Sequence, residues 1–241
     1  MSFNASFSTA EITTSFINGI QAERGKVRDT YDDGRYLYIR SVLPYSFKVT
    51  KKDKIHGGLA LKSTTTELWL HPYLFRQVCR NGLIAASTMQ SVCMEYDTFS
   101  EGKEGIEELA LEIPWAIRNC ARKEFFQEAA GQMKDARKRE VEWKADYELK
   151  LLSMLNTRHG DGFNRRVLRE IRRRFEVEEE RTLYGMVNAT TSMARDTRDP
   201  ALKWRLEQLG WKIARGELAA GSGVGGTDGS VEDSIQSRVC G

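Results

Sequence analysis

The chain has 241 residues, 40% of them hydrophobic and 29% charged, with a formal net charge of +3. That length supports one large domain or two small ones around a true core, and the mild basicity permits an anionic partner without requiring one. Four cysteines without a CxxC pair exclude a disulfide scaffold; no segment reads as a secretory signal, and no apolar run approaches the roughly 20 residues of a membrane-spanning helix, so a cytoplasmic protein with reduced thiols is expected.

Residues 1–30 read as a lead-in with one weak amphipathic turn at Ile12, Phe16, Ile17 and Ile20. The period then changes. RYLYIRSVLPYSFKVTKK alternates apolar or aromatic residues with polar ones, the pattern of strands, with YDDG before it and LPY within it as turn signals. KIHGGLALKS and TTTELWLH read as two more strands, Thr64, Thr65 and Thr66 fitting either the strand or the connection. Pro72 is placed as the first residue of a helix, followed by YLFRQVCRN at helical spacing and closed by Asn81-Gly82.

From about 103 to 215 the pattern is helical. EGIEELALEIPWAIRNCARKEFFQEAAGQ is expected to break before Pro114, MKDARKREVEWKADYELKLLSMLN to form a long helix with charge pairs, and RHGDGF to be a loop. NRRVLREIRRRFEVEEERTLYGMVNATTSMARD is helical again, and Pro200 opens a last helix. Residues 216–241 are rich in Gly and Ser and are expected to be disordered, which leaves Cys240 on a tail. The expected fold class is α+β: a small antiparallel sheet in the N-terminal third packed against a mostly helical C-terminal part. Residues 31–215 form the single domain, β-rich over 31–102 and helical over 103–215.

No catalytic arrangement emerges from the spacing. A nucleophilic Cys79 needs a base within hydrogen-bond reach, and His71 stands eight residues away, about 12 Å of rise along a helix. Cys79 is read as packing. Cys79, Cys93, Cys120 and the three histidines have no metal-ligand spacing, so no metal or other cofactor is expected. DDG at 32–34 reads as a turn. The HGDG loop at 159–162 reads as a capping turn or, with distant acids, as a metal site on His159 and Asp161. GSGVGG in the tail has neither a strand before it nor a helix after it and is discarded as a phosphate loop.

Two features point to phosphate. Arg165, Arg166, Arg169, Arg172, Arg173 and Arg174 fall within three helical turns, with Val167, Leu168, Ile171 and Phe175 on the buried side. Such a stripe either meets phosphates or pairs with Glu176, Glu178, Glu179 and Glu180 just after it. In the strands, Tyr36, Tyr38, Tyr45 and Phe47 interleave with Arg35, Arg40, Lys48, Lys51, Lys52 and Lys54. Aromatic and basic residues on a sheet make a platform for single strands, though the same aromatics are also good core-filling strand formers.

The run GGLALKSTTTELWLHPYLFRQVCRNGLI resembles the central signature of the phage- and plasmid-like proteins of domain-of-unknown-function family 932, with Arg76, Val78, Cys79, Asn81 and Gly82 in the matching positions. TLYGMVNATTSMARD is similar to a second segment of that family through Thr182, Leu183, Tyr184, Asn188, Ala189 and Thr191. The resemblance spans roughly residues 35–212 and departs at the polar turn, where Thr-Thr-Thr replaces an Asp-Gly type of sequence. It implies a mobile-element context near repair, recombination or anti-restriction genes, in a host cytoplasm, and names no catalytic residue. The layout is also similar to the core of single-strand annealing proteins, an analogy of fold alone.

The expected function is therefore nucleic-acid binding, single-stranded DNA favoured, in recombination or repair, with annealing by a homo-oligomer. Tyr36, Tyr38, Arg40, Lys51, Lys52 and Lys54 on the sheet, with Arg165, Arg169, Arg172 and Arg173 on the helix, are the candidate contacts. The alternatives are an anti-defence or regulatory factor that grips a host protein and, third, a metal-dependent nuclease using Asp161. No membrane partner is expected.

Overall fold

The computed structural model describes residues 14, 16–21, 24–32, 36–51, 53–64, 67–76, 82–84, 91–95, 104–155, 157, 160–178 and 180–218. Its N-terminal part is an antiparallel sheet and its C-terminal part is helical, an α+β architecture. The strands are β1 (Lys26–Asp32), β2 (Leu37–Val42), β3 (Ser46–Lys48), β4 (Lys54–Ser63), β5 (Glu67–Arg76), β6 (Gly82–Ile84) and β7 (Val92–Glu95). The helices are α1 (Glu104–Cys120), α2 (Lys123–Lys138), α3 (Ala145–Leu155), α4 (Asp161–Val177), α5 (Leu183–Asp196) and α6 (Pro200–Ala214).

β4 and β5, ten residues each, form the central hairpin, in register from Ile55↔Arg76 to Ser63↔Leu68. Each is flanked by two short strands that share its outer edge. β2 pairs with the second half of β4 and β3 with the first, while β7 pairs with the first half of β5 and β6 with the second. β1 closes the other end by pairing with β2.

Alternation divides the sheet into two faces. Leu37, Ile39, Ile55, Leu59, Leu61, Leu68, Leu70 and Leu74 point into the main core with residues of α1 to α6. Each leucine-sized side chain buried there contributes roughly 1.5–3 kcal/mol. The other face carries Tyr38, Ala60 and Tyr73, covered by Trp204 of α6. β4 crosses β2 at close range: a Cβ on Gly58 would collide with the Ser41 carbonyl oxygen, so this position admits only glycine.

Several expectations change. The segment opening at Pro72 is the second half of strand β5, not a helix. Pro72 pairs with Leu59 on the β4 side and falls between the β7 ladder, which ends at Leu70, and the β6 ladder, which starts at Tyr73. A residue without an N–H fits that interruption. Residues 77–81, including Cys79, lie outside the described residues. Helix α1 runs through Pro114 instead of breaking there, anchored on both sides by buried Ile113, Ala116 and Ile117. The long helix expected over 133–155 is two helices. Between them Glu140 bridges Thr182, Val141 N–H donates to Arg181 O at 3.0 Å, and Arg139 O accepts from Leu183 N–H at 2.9 Å. This short pairing docks the α2–α3 connection onto the start of α5.

The segment expected as a lead-in already holds strand β1 from Lys26, and Phe16 and Ile20 of a short helix at 16–21 are fully buried. Residues 219–241 lie outside the described residues. Among the described residues no helix is long and apolar enough to cross a membrane.

Candidate nucleic-acid interface

α4 presents the arginine stripe. Its core side is Val167, Leu168, Ile171 and Phe175, as the spacing predicts, with Asn164 buried one turn earlier and accepting from Thr157 Oγ1 at 2.5 Å. The opposite side is exposed and has two halves. In the C-terminal half every arginine has a carboxylate: Arg172 binds Glu176 at 2.7 Å, Arg173 binds Glu170 at 2.8 Å, and Arg174 binds Glu170 at 2.8 Å and Asp196 at 2.7 Å. Hydrogen bonds from Arg173 and Arg174 hold the Glu170 carboxyl down at about 2, so it stays charged. In the N-terminal half Arg165 and Arg169 are exposed and make no ion pair among the described residues. The stripe is thus neutralised at one end and open at the other.

The lysines sit on the β3–β4 turn. Val49 N–H and Thr50 N–H donate to Asp53 O at 3.0 and 3.2 Å, and Asp53 N–H donates to Thr50 Oγ1 at 3.0 Å. Lys51 and Lys54 project from this turn and are exposed. Lys52 lies outside the described residues. Both cationic sets flank α5: Arg174 donates to Ser192 Oγ of α5 at 2.9 Å, and Tyr184 of α5 donates to Asp53 in the turn.

Two of the expected sheet contacts are corrected by burial. Tyr38 is 2% exposed and lies against Trp204, ring centroids 5.3 Å apart. Arg40 is fully buried: its Nε and Nη2 donate to Glu207 Oε2 at 3.1 and 2.9 Å, and Cζ lies 5.8 Å from the Trp204 ring centroid. Neither reaches a polymer outside the fold. Tyr36 is half-buried, with Lys62 Nζ 4.7 Å above its ring. His71 occupies the same covered face, its ring 5.4 Å from Trp204 and 5.7 Å from Trp69, with Nδ1 2.6 Å from Ser91 Oγ. Burial, with Lys62 nearby, holds its pKa down at about 4, so it is neutral at physiological pH.

A second polar cluster joins sheet to helices and was not visible in the spacing. Arg76, at the end of β5, donates from Nε and Nη2 to Asp53 Oδ2 at 2.9 and 2.6 Å and from Nη1 to Asn188 Oδ1. Its guanidinium carbon stands 4.7 Å from the centroid of the Tyr184 ring. Asp53 Oδ1 is buried and has no hydrogen-bond partner among the described residues. Glu178 approaches the same arginine, and its partial burial pushes that carboxyl up. Thr182 caps α5, accepting from Gly185 N–H at 3.2 Å, and a Cβ on Gly185 would strike the Glu180 carbonyl oxygen. The segment therefore fixes where Tyr184 and Asn188 meet Arg76.

The thiols offer no nucleophile among the described residues. Cys93 and Cys120 are buried thiols, and burial pushes that of Cys120 up to about 12. Cys240 and His159 lie outside the described residues. Asp161 is exposed at the first position of α4, and no group of three or more His, Cys, Asp or Glu able to hold a metal occurs among the described residues.

No family model, no curated protein and no solved structure matches this chain.

Proposed function

We propose that the chain binds single-stranded nucleic acid, DNA in preference, and serves strand annealing or repair in a mobile-element context. The observation that carries this reading is the open half of the α4 stripe: Arg165 and Arg169 are exposed and lack a carboxylate, whereas Arg172 to Arg174 each have one. Leaving Arg165, Arg166 and Arg169 without a carboxylate on a helix whose other arginines are paired suits an anionic polymer whose phosphates supply the missing charge. Lys51 and Lys54 add exposed cations at the β3–β4 turn. Arg172 and Arg173 contribute after exchanging their helix carboxylates for phosphate, and so less. The family resemblance supports the recombination setting.

The test is fluorescence anisotropy of labelled single- and double-stranded oligonucleotides at about 50 and 200 mM salt, where several phosphate contacts weaken binding by orders of magnitude. The Arg165→Glu, Arg169→Glu double variant is expected to lose affinity and to flatten the salt dependence. Unchanged binding and slope in that variant would overturn the reading.

A further inference from the structure

The outward face of α1 carries a tryptophan that the core does not use. Among the described side chains of α1 the buried ones are Ile113, Ala116, Ile117 and Cys120. At about 100° per residue, Leu111, Trp115 and Arg118 lie together on the opposite side, within an arc of about 60°. Leu111 is 79% exposed and Trp115 55%. Among the described residues only four large hydrophobic side chains are this exposed, and Trp115 is the aromatic one. Exposed leucines and valines are ordinary, whereas tryptophan is enriched at interfaces, where its ring offers a large contact area.

Trp115 has Glu112 one turn before it and cations after it. Arg118 stands one turn along, about 5 Å of rise. Arg122 and Lys123 follow at the α1–α2 junction, and all three are exposed. None makes an ion pair among the described residues, and the flanking carboxylates Glu112 and Glu124 make none with them. Asn119 ties the group together: its Nδ2 donates to Trp115 O at 3.2 Å, and its Oδ1 accepts from Arg122 Nη2 at 3.2 Å. The arrangement is one π-face with three uncompensated positive charges beside it.

We propose that this face is a base-stacking contact for single-stranded nucleic acid, Trp115 stacking on one base while Arg118, Arg122 and Lys123 meet the adjoining phosphates. The proposal rests on the nucleic-acid reading above and adds a site on a different helix. A protein partner would call for an apolar centre inside a polar rim, and among the described residues of this face only Leu111 extends the apolar area. A duplex hides its base faces within the stack, so the exposed ring selects single strands, whose bases offer a free π-face.

The test uses the full chain with fluorescein-labelled oligo(dT) at low salt, with thermal unfolding confirming that each variant folds. Trp115→Ala is expected to weaken binding between about five- and a hundred-fold without changing the salt slope, and Trp115→Phe to keep most of the affinity. Arg118→Ala with Arg122→Ala should lower the salt slope by about 1.4, two contacts at roughly 0.7 each. Parental affinity in Trp115→Ala, alongside weakened binding in the Arg165→Glu, Arg169→Glu variant, overturns this site and leaves the general reading standing. A parent chain that binds no oligonucleotide overturns both. A Trp115→Ala variant that loses self-association in sedimentation but still binds oligo(dT) assigns the face to a second copy of the chain instead.

Discussion

Arg76 at the end of β5 and Asn188 in the second turn of α5, 112 residues apart, are joined by a side-chain hydrogen bond. The bond brings strand β5 and helix α5 together in space. Around this bond Asp53 brings the β3–β4 turn and Tyr184 brings the helix, and the four residues fasten the sheet to the helical layer.

Asp53→Ala leaves the Arg76 guanidinium buried without its carboxylate. Breaking a buried pair in this way costs about 3–5 kcal/mol. Urea denaturation should show a lower midpoint with the same slope, since the folded surface is unchanged. A midpoint equal to that of the parent would mean that Asn188 and Glu178 compensate the charge alone.

The Arg40–Glu207 pair behaves differently when both partners change. Glu207→Ala alone strands a fully buried guanidinium and should cost several kcal/mol. Arg40→Met with Glu207→Leu removes both charges at similar volume and should be close to neutral, because the desolvation of the two ions is removed with their attraction. A double-mutant cycle by urea denaturation measures the difference.

Two glycine substitutions should move stability in opposite directions. Gly58→Ala places a methyl against the Ser41 carbonyl oxygen and forces β2 and β4 apart. Gly131→Ala, in the middle of α2 with nothing within 4 Å of a new Cβ, should stabilise by up to about 1 kcal/mol through helix propensity. Thermal midpoints of the two variants check both signs.

His71 predicts a pH dependence. Its folded pKa, about 4, lies below the ordinary value of 6.5. Between those values the unfolded chain takes up a proton that the folded chain refuses, so stability is full above about pH 6.5 and falls as pH drops toward 4. From pH 7 to pH 5 the loss from this group is about 2 kcal/mol. His71→Gln should flatten the decline over that range; an unchanged decline would place its origin elsewhere.

The periods of the sequence carried the architecture well. Alternation located β2, β4 and the first half of β5, and the apolar spacing of α4 named its buried face residue by residue. What it could not carry was which sheet face would be covered. Tyr38 and Arg40 have the right alternation for an open platform, yet Trp204 and Glu207, on the last helix, close over them. Pro72 misled because a proline at a strand interruption and one at a helix start look alike locally; only the gap between β6 and β7 separates them. Trp115 had a readable signal, a tryptophan on the polar side of an amphipathic helix.

The short strands that share the outer side of β5 bear on self-assembly. β6 and β7 are three and four residues long and leave His71 and Pro72 unbridged between them, and Pro72 has no N–H to offer. At the far end of the sheet β1 is bent by a register shift between Val27 and Asp29 and carries Lys26, Asp29 and Asp32. Neither margin is a good template for edge-to-edge aggregation. A multimer of this protein would accordingly be assembled through its helices, each copy keeping its sheet to itself.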